Sequence, residues 1–125
     1  MPYRVRLDPE AGLVEIVFEG VLGQDDVADA VRKLLFDPVY AHQPLGLFDA
    51  SGVTSADFAT DLIWQTARSA ETAVDPHLAR GKLAIVAPGD EAFGLSRIYQ
   101  SLRERSPVEV RVFRARADAE RWLGL

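Results

Sequence analysis

Cysteine is absent from the 125 residues. That excludes a disulfide framework, a thiolate nucleophile and a Cys-ligated metal. Histidine is scarce: His42 and His77 are the only two, and neither has a His, Asp or Glu partner at i+3 or i+4 spacing. They read as loop histidines, and no metal site or cofactor is expected. Apolar runs are short, such as Leu83-Ala84-Ile85-Val86-Ala87, whereas a membrane span takes roughly 20 residues. The start, Met1-Pro2-Tyr3-Arg4-Val5-Arg6, has no long apolar core of the kind a signal peptide carries. The expectation is a cytoplasmic protein without a membrane span. No glycine-rich phosphate loop follows a strand: Ala87-Pro88-Gly89-Asp90 lacks both the spacing and the Lys of a P-loop. No Ser/His/Asp set is arranged for nucleophilic catalysis, so no catalytic residue is assigned and a non-enzyme is expected.

What is present is the mix of an ordinary globular domain, 48% hydrophobic and 26% charged. The net charge of −5 is unevenly spread. Residues 1–75 hold 5 Lys and Arg against 13 Asp and Glu, while residues 97–125 hold 7 against 4. The Arg-rich end, with Arg111, Arg114, Arg116 and Arg121 near Phe113 and Trp122, raises the question of nucleic acid. Phosphate binding wants a concentrated basic stripe on the domain, and this protein is acidic overall. The end reads instead as a solvated face that pairs with the acidic N-terminal part, and no nucleic-acid partner is expected.

Periodicity gives the elements. Tyr3 to Leu7 alternates apolar and charged residues, a strand with one buried face. Asp8-Pro9-Glu10-Ala11-Gly12 is turn chemistry, and Leu13 to Phe18 completes a hairpin. Gln24 to Phe36 places Val27, Ala28, Ala30, Val31, Leu34 and Leu35 on one helical face, with Asp25 and Asp26 in the first turn where the helix dipole favours negative charge. Leu45 to Ala50 is a short central strand, and Ser51-Gly52-Val53-Thr54 a loop. Thr54 and Asp57 resemble a capping box for a helix over 55–73. Lys82 to Ala87 is a continuous apolar strand of the kind covered on both faces. Asp90 is the expected N-cap of a helix to about Arg105. Val108 to Phe113 alternates as a fifth strand, and Ala117 to Leu123 is a short closing helix. The order β-β-α-β-α-β-α-β-α is that of one α/β domain over residues 1–125, with a mixed sheet of about five strands and helices packed against it.

Two helical wheels yield candidate binding residues. In the helix over 55–73, Trp64 falls on the polar side between Thr60 and Arg68, with Arg68 at i+4 able to stack on its indole. In the helix over 90–105, Leu95, Ile98, Tyr99 and Leu102 form the apolar stripe, while Phe93 falls opposite with Arg97. Trp and Arg are enriched at interface hot spots. The candidate surface is therefore Phe58, Trp64, Arg68, Phe93 and Arg97. The loop after the central strand adds Asp49, Ser51, Thr54, Ser55 and Asp57. Asp49 stands where α/β sites tend to lie, and its simplest role is to fix the following turn.

Several segments in order carry a resemblance. They are Leu47-Phe48-Asp49-Ala50-Ser51-Gly52-Val53, Gly81-Lys82-Leu83-Ala84-Ile85-Val86, Phe93-Gly94-Leu95-Ser96-Arg97-Ile98, Val110-Arg111-Val112-Phe113 and Ala119-Glu120-Arg121-Trp122-Leu123. Together they resemble the SpoIIAA-like proteins, related in fold to STAS domains and anti-sigma-factor antagonists, over nearly the whole chain. The resemblance implies a SpoIIAA-like/STAS-like α/β fold and a non-enzymatic, regulatory role with a protein partner or a second copy of the chain. It also implies a departure. In anti-sigma-factor antagonists an Asp-Ser-Ser-Gly type motif at a helix start carries the serine that a kinase-type anti-sigma factor phosphorylates. Asp57-Phe58-Ala59-Thr60 stands in that place, without the acceptor Ser and without the Gly. The alternative function by fold analogy is a small apolar ligand or lipid carrier of Sec14/STAS-like type, with a pocket lined by Phe58, Trp64, Phe93 and Tyr99.

Overall fold

The computed structural model describes residues 3–37, 43–57, 81–105 and 108–125. The candidates Phe58, Trp64 and Arg68, both histidines and most of the helix expected over 55–73 lie outside the described residues.

Strand β1 (Tyr3–Asp8) and strand β2 (Leu13–Gly23) form the expected hairpin, in register from Tyr3↔Phe18 to Asp8↔Leu13. Its turn is held by Asp8, whose carboxylate accepts the Ala11 N–H (3.2 Å), and by Gly12, whose φ of 66° glycine adopts without strain. Helix α1 (Gln24–Phe36) follows, its first turn tied down by the Asp26 carboxylate accepting the Gly23 N–H (3.1 Å). Then come β3 (Leu45–Asp57), β4 (Lys82–Val86), α2 (Asp90–Leu102), β5 (Glu109–Phe113) and α3 (Arg116–Leu123). The strands form one sheet in the order β1-β2-β3-β4-β5. Among the described strands the β1–β2 pair is antiparallel and the other three pairs are parallel, as crossover connections require.

Alternation sorts the side chains onto two faces. One face carries Tyr3, Val14, Ile16 and Phe18, with Ala30 and Val27 of α1 packed on them. It continues through Phe48 to Leu83, Ile85, Val110 and Val112, covered by Ala92, Phe93 and Tyr99 of α2. The opposite face carries Leu13, Leu47, Ala84 and Val86 beneath Ala119 and Leu123 of α3. Trp122 extends this cover to Phe113 at the β5 edge, with ring centroids 5.7 Å apart.

Three expectations need correction. Residues 51–57 are neither loop nor helix start: β3 runs on to Asp57, parallel to β2 as far as Gly23↔Asp57. Thr54 lies within the strand and therefore caps no helix starting at residue 55. β2 likewise extends five residues past Phe18. Secondly, Asp90 is not the N-cap of α2. Gly89 is, and Asp90 is the first helical residue. Thirdly, α2 is rotated relative to its apolar wheel. Ala92, Phe93 and Tyr99 meet the sheet, Arg103 is buried, and Ile98 is exposed. Arg103 and Gln100 turn inward with their long stems, so counting only apolar residues misplaces the buried face.

Candidate functional site

The feature of the described residues that sequence reasoning missed is an ion cluster on the α3 face. Glu15 on β2 and Asp49 on β3 point to the same side of the sheet, one register step apart, since Glu15 pairs with Leu47 and Val17 with Asp49. Both are buried, with side-chain exposures of 6% and 9%. Two carboxylates cannot stay charged there without partners. Arg116, the first residue of α3, supplies one: its Nη1 donates to Glu15 Oε1 (2.8 Å) and to Asp49 Oδ2 (2.7 Å). Its Nε donates to Glu120 Oε1 one turn on (2.8 Å). Arg6 on β1 grips the second Glu15 oxygen through Nε (3.2 Å) and Nη2 (2.7 Å). The remaining Asp49 oxygen accepts the Ser51 N–H (2.9 Å).

That last bond has a local cause. The β2–β3 register shifts between Val17↔Asp49 and Glu19↔Gly52, so Ala50 and Ser51 have no partner on β2. At such a bulge the ladder cannot satisfy every amide, and the Asp49 side chain takes the one at Ser51. Asp49 is expected to fix a following turn; the structure has a strand bulge there, and the Asp49 carboxylate holds the Ser51 amide within it. Gly52, just past it, lies close against β2: a Cβ there would sit 3.1 Å from Glu19 Cγ and 3.2 Å from the Phe18 carbonyl.

The cluster's electrostatics follow from its bonds. The Arg116 hydrogen bond is the main reason the Glu15 carboxyl lies below its ordinary value; burial opposes it and Arg6 adds to it. Burial works against the charge of Asp49, but hydrogen bonds from Ser51 and Arg116 outweigh it and the net shift is also downward. The Arg116 guanidinium is held charged chiefly by Glu15, against a smaller burial effect, with Glu120 and Asp49 assisting. A general base needs a pKa near the working pH and a lone pair facing its substrate. Glu15 and Asp49 are shifted away from neutrality, and their oxygens are engaged by guanidinium and amide donors. The arrangement clamps α3 to the sheet. Among the described residues no three His, Cys, Asp or Glu side chains are placed to hold a metal ion.

Of the residues expected at the binding surface, Phe93 and Arg97 are described. The wheel puts Phe93 opposite the apolar stripe, but the structure packs it half-buried against the cluster of Leu83, Ile85 and Val112. The Arg114 guanidinium lies over its ring, 4.0 Å from the centroid. Arg114 is fixed there by the Pro88 carbonyl (3.0 Å) and Asp90 (2.7 Å). Arg97 is exposed on α2, and Ser51, Thr54 and Ser55 are exposed on β3. Tyr99 shares the apolar cluster with Phe93, and its burial raises the phenol pKa. The Arg-rich end pairs inward as expected at Arg116, which reaches the acidic N-terminal part at Glu15 and Asp49. Arg121 pairs locally with Asp118.

A mixed five-stranded sheet with helices on it, its central strand leading into the chain after Asp57, defines an α/β domain of the SpoIIAA-like fold. Solved structures show this directly. The chain is similar to an uncharacterized protein from the DUF3478 family with a SpoIIAA-like fold from Shewanella loihica PV-4, with a TM-score of 0.54 and 14% identity, covering 97% of this chain and 91% of that one. It is similar also to the anti-sigma factor antagonist SpoIIAA in its unphosphorylated form, with a TM-score of 0.59 and 12% identity, covering 98% and 99%. At these identities the likeness is one of fold. No protein-family model matches the chain, and no curated protein matches it either. Among the described residues no helix is long and apolar enough to cross a membrane.

Proposed function

We propose that this chain is a cytoplasmic, non-enzymatic regulatory module that acts by binding a protein partner, on the fold of the anti-sigma-factor antagonists and without their phosphoserine switch. The observation that carries the reading is the likeness to an anti-sigma factor antagonist over almost the full length of both chains. Two features support it. The buried carboxylates that would be the first candidates for catalysis are spent on clamping α3. And Asp57-Phe58-Ala59-Thr60 lacks the Ser and the Gly of the switch motif. The binding surface of this reading comprises Phe58, Trp64, Arg68 and Arg97, together with Ser51, Thr54 and Ser55 of β3.

Affinity capture tests it, with wild type compared with Trp64→Ala and Arg68→Ala. A specific protein recovered by wild type and lost by both variants is the expected result. Equal recovery of every captured protein by all three would remove this surface from consideration. Intact-mass analysis of protein purified from growing and starved cells adds a second arm: a stoichiometric phosphate on Ser51, Thr54 or Ser55 would contradict the missing switch.

A further inference from the structure

Strand β3 changes side at its bulge. Leu45, Leu47 and Asp49 face α3, and Phe48 faces the clusters under α1 and α2. Strict alternation would carry Val53 to the α3 side with Asp49. Val53 instead packs against the cluster of Tyr3, Ile16 and Phe18 on the α1 side. The register shift at Ala50 and Ser51 is the cause, since a one-residue slip moves a strand's side chains to the other face. Strand β4 does not hold this step: its pairing with β3 ends at Asp49↔Val86.

The Asp49 carboxylate reaches both the bulge and the helix. Its Oδ1 accepts the Ser51 N–H (2.9 Å), and its Oδ2 accepts from Arg116 Nη1 of α3 (2.7 Å). Withdrawal of Arg116 would strand this charge, on a side chain only 9% exposed. The carboxylate then turns to water and leaves the Ser51 amide, or takes a proton and accepts from that amide less strongly. Either response loosens the step. We propose that Asp49 couples the two elements: α3, docked through Arg116, holds the β3 bulge and so decides which of residues 51–55 face outward. The bearing of this on binding rests on the proposed role of Ser51, Thr54 and Ser55 in the partner surface. By linkage, a partner that grips the bulged strand also holds α3 more firmly.

Amide exchange followed by NMR reads the coupling with no partner present, so its failure and the failure of the binding surface are told apart. Arg116→Ala is expected to speed exchange at Ser51 by about tenfold, the loss of one hydrogen bond, beyond any change in the most protected amides of the sheet. Asp49→Ala should reach the same rate. Added to Asp49→Ala, Arg116→Ala should change the Ser51 rate by less than about twofold, because the link is already gone. Glu120→Ala, which removes an Arg116 partner and leaves Asp49 in place, should match wild type at Ser51. An unchanged Ser51 rate in Arg116→Ala overturns the proposal. So does a rise shared by every sheet amide, an equal rise in the Asp49→Ala background, or a tenfold rise in Glu120→Ala. Should Arg116→Ala fail to fold, Arg116→Gln, uncharged and closer in length, carries the same arms.

Discussion

At the scale of the residue, Arg116 decides the state of two buried carboxylates. Removing one partner of a buried ion pair costs more than the pair itself contributes, because the stranded charge stays behind. Arg116 is 35% exposed, so solvent replaces part of what is lost. Arg116→Ala is expected to destabilise by about 2 kcal/mol or more in urea unfolding, and Arg116→Lys to recover only part of it, since one ammonium cannot reproduce the guanidinium fork. The pH dependence has a definite sign. Glu15 and Asp49 lie below their ordinary values of 4.5 and 3.8 in the folded state, so the unfolded chain binds their protons first. Their contribution is complete above those values and is lost as the pH falls through them toward the folded ones. Wild type should therefore lose stability on acidification below about pH 5. In Arg116→Ala the same titration should be flatter, because the unclamped carboxyls are better tolerated neutral; an unchanged profile would show that Arg116 does not set their charge. The cluster left one mark in the sequence, a Glu in the middle of the apolar run Leu13-Val14-Glu15-Ile16-Val17. Its partner stands 101 residues away, a distance that no local pattern bridges. Phe93 teaches the complementary lesson: on a wheel it looks unpartnered, but the sheet takes one side of it and Arg114 the other. Phe93→Ala should cost about 2–3 kcal/mol, in the range for a partly buried ring, read by thermal unfolding.

At the scale of the element, legibility followed burial. β1, β4 and β5 alternate or run apolar because the sheet buries them, and α1 shows its stripe because Val27 and Ala30 meet β2 and its neighbours. The second half of β3 was illegible for the same reason reversed. Past Asp49 it pairs with β2 but no longer with β4, and Ser51, Gly52, Thr54 and Ser55 are exposed. A strand without a buried face has no reason to alternate, and a Ser-Gly-Val-Thr run is indistinguishable from loop chemistry. What identifies it as strand is a close backbone approach, and that yields a prediction. Gly52→Ala puts a methyl 3.2 Å from the Phe18 carbonyl, which must be relieved by parting β3 from β2 at the bulge. The expected cost is about 1–2 kcal/mol, with faster amide exchange in residues 50–53 than in the body of β3. Were 51–54 an open loop, the same substitution would be neutral or slightly stabilising.

At the scale of the whole molecule, the uneven charge becomes a tether. The acidic part and the Arg-rich end are joined by Arg116 through Glu15 and Asp49, and the apolar strip of Leu13, Leu47, Ala84 and Val86 lies under the same helix. Helix α3 is only 8 residues long, too short to persist on its own in water, so it is held by the sheet and in turn seals one face of it. Its Trp122 also packs on Phe113 of β5 and on Lys82 of β4, whose Nζ lies 5.0 Å from the indole and donates to the Trp122 carbonyl (3.2 Å). Truncation after Ala115 would thus remove three things together: the apolar cover, the guanidinium between two buried carboxylates, and the edge cap. Because Leu47, Ala84 and Val86 belong to the central strands, the damage cannot remain local. The truncated chain is expected to lose its cooperative thermal transition and to bind a hydrophobic dye at neutral pH. A double substitution, Glu15→Gln with Asp49→Asn in the truncated chain, separates the causes. If the stranded charges dominate, it restores a cooperative transition; if the uncovered apolar strip dominates, it does not. The number of central-strand residues under α3 favours the second result. A truncated protein that melts as sharply as the full chain would mean that α3 is an appendage and not a layer of the fold.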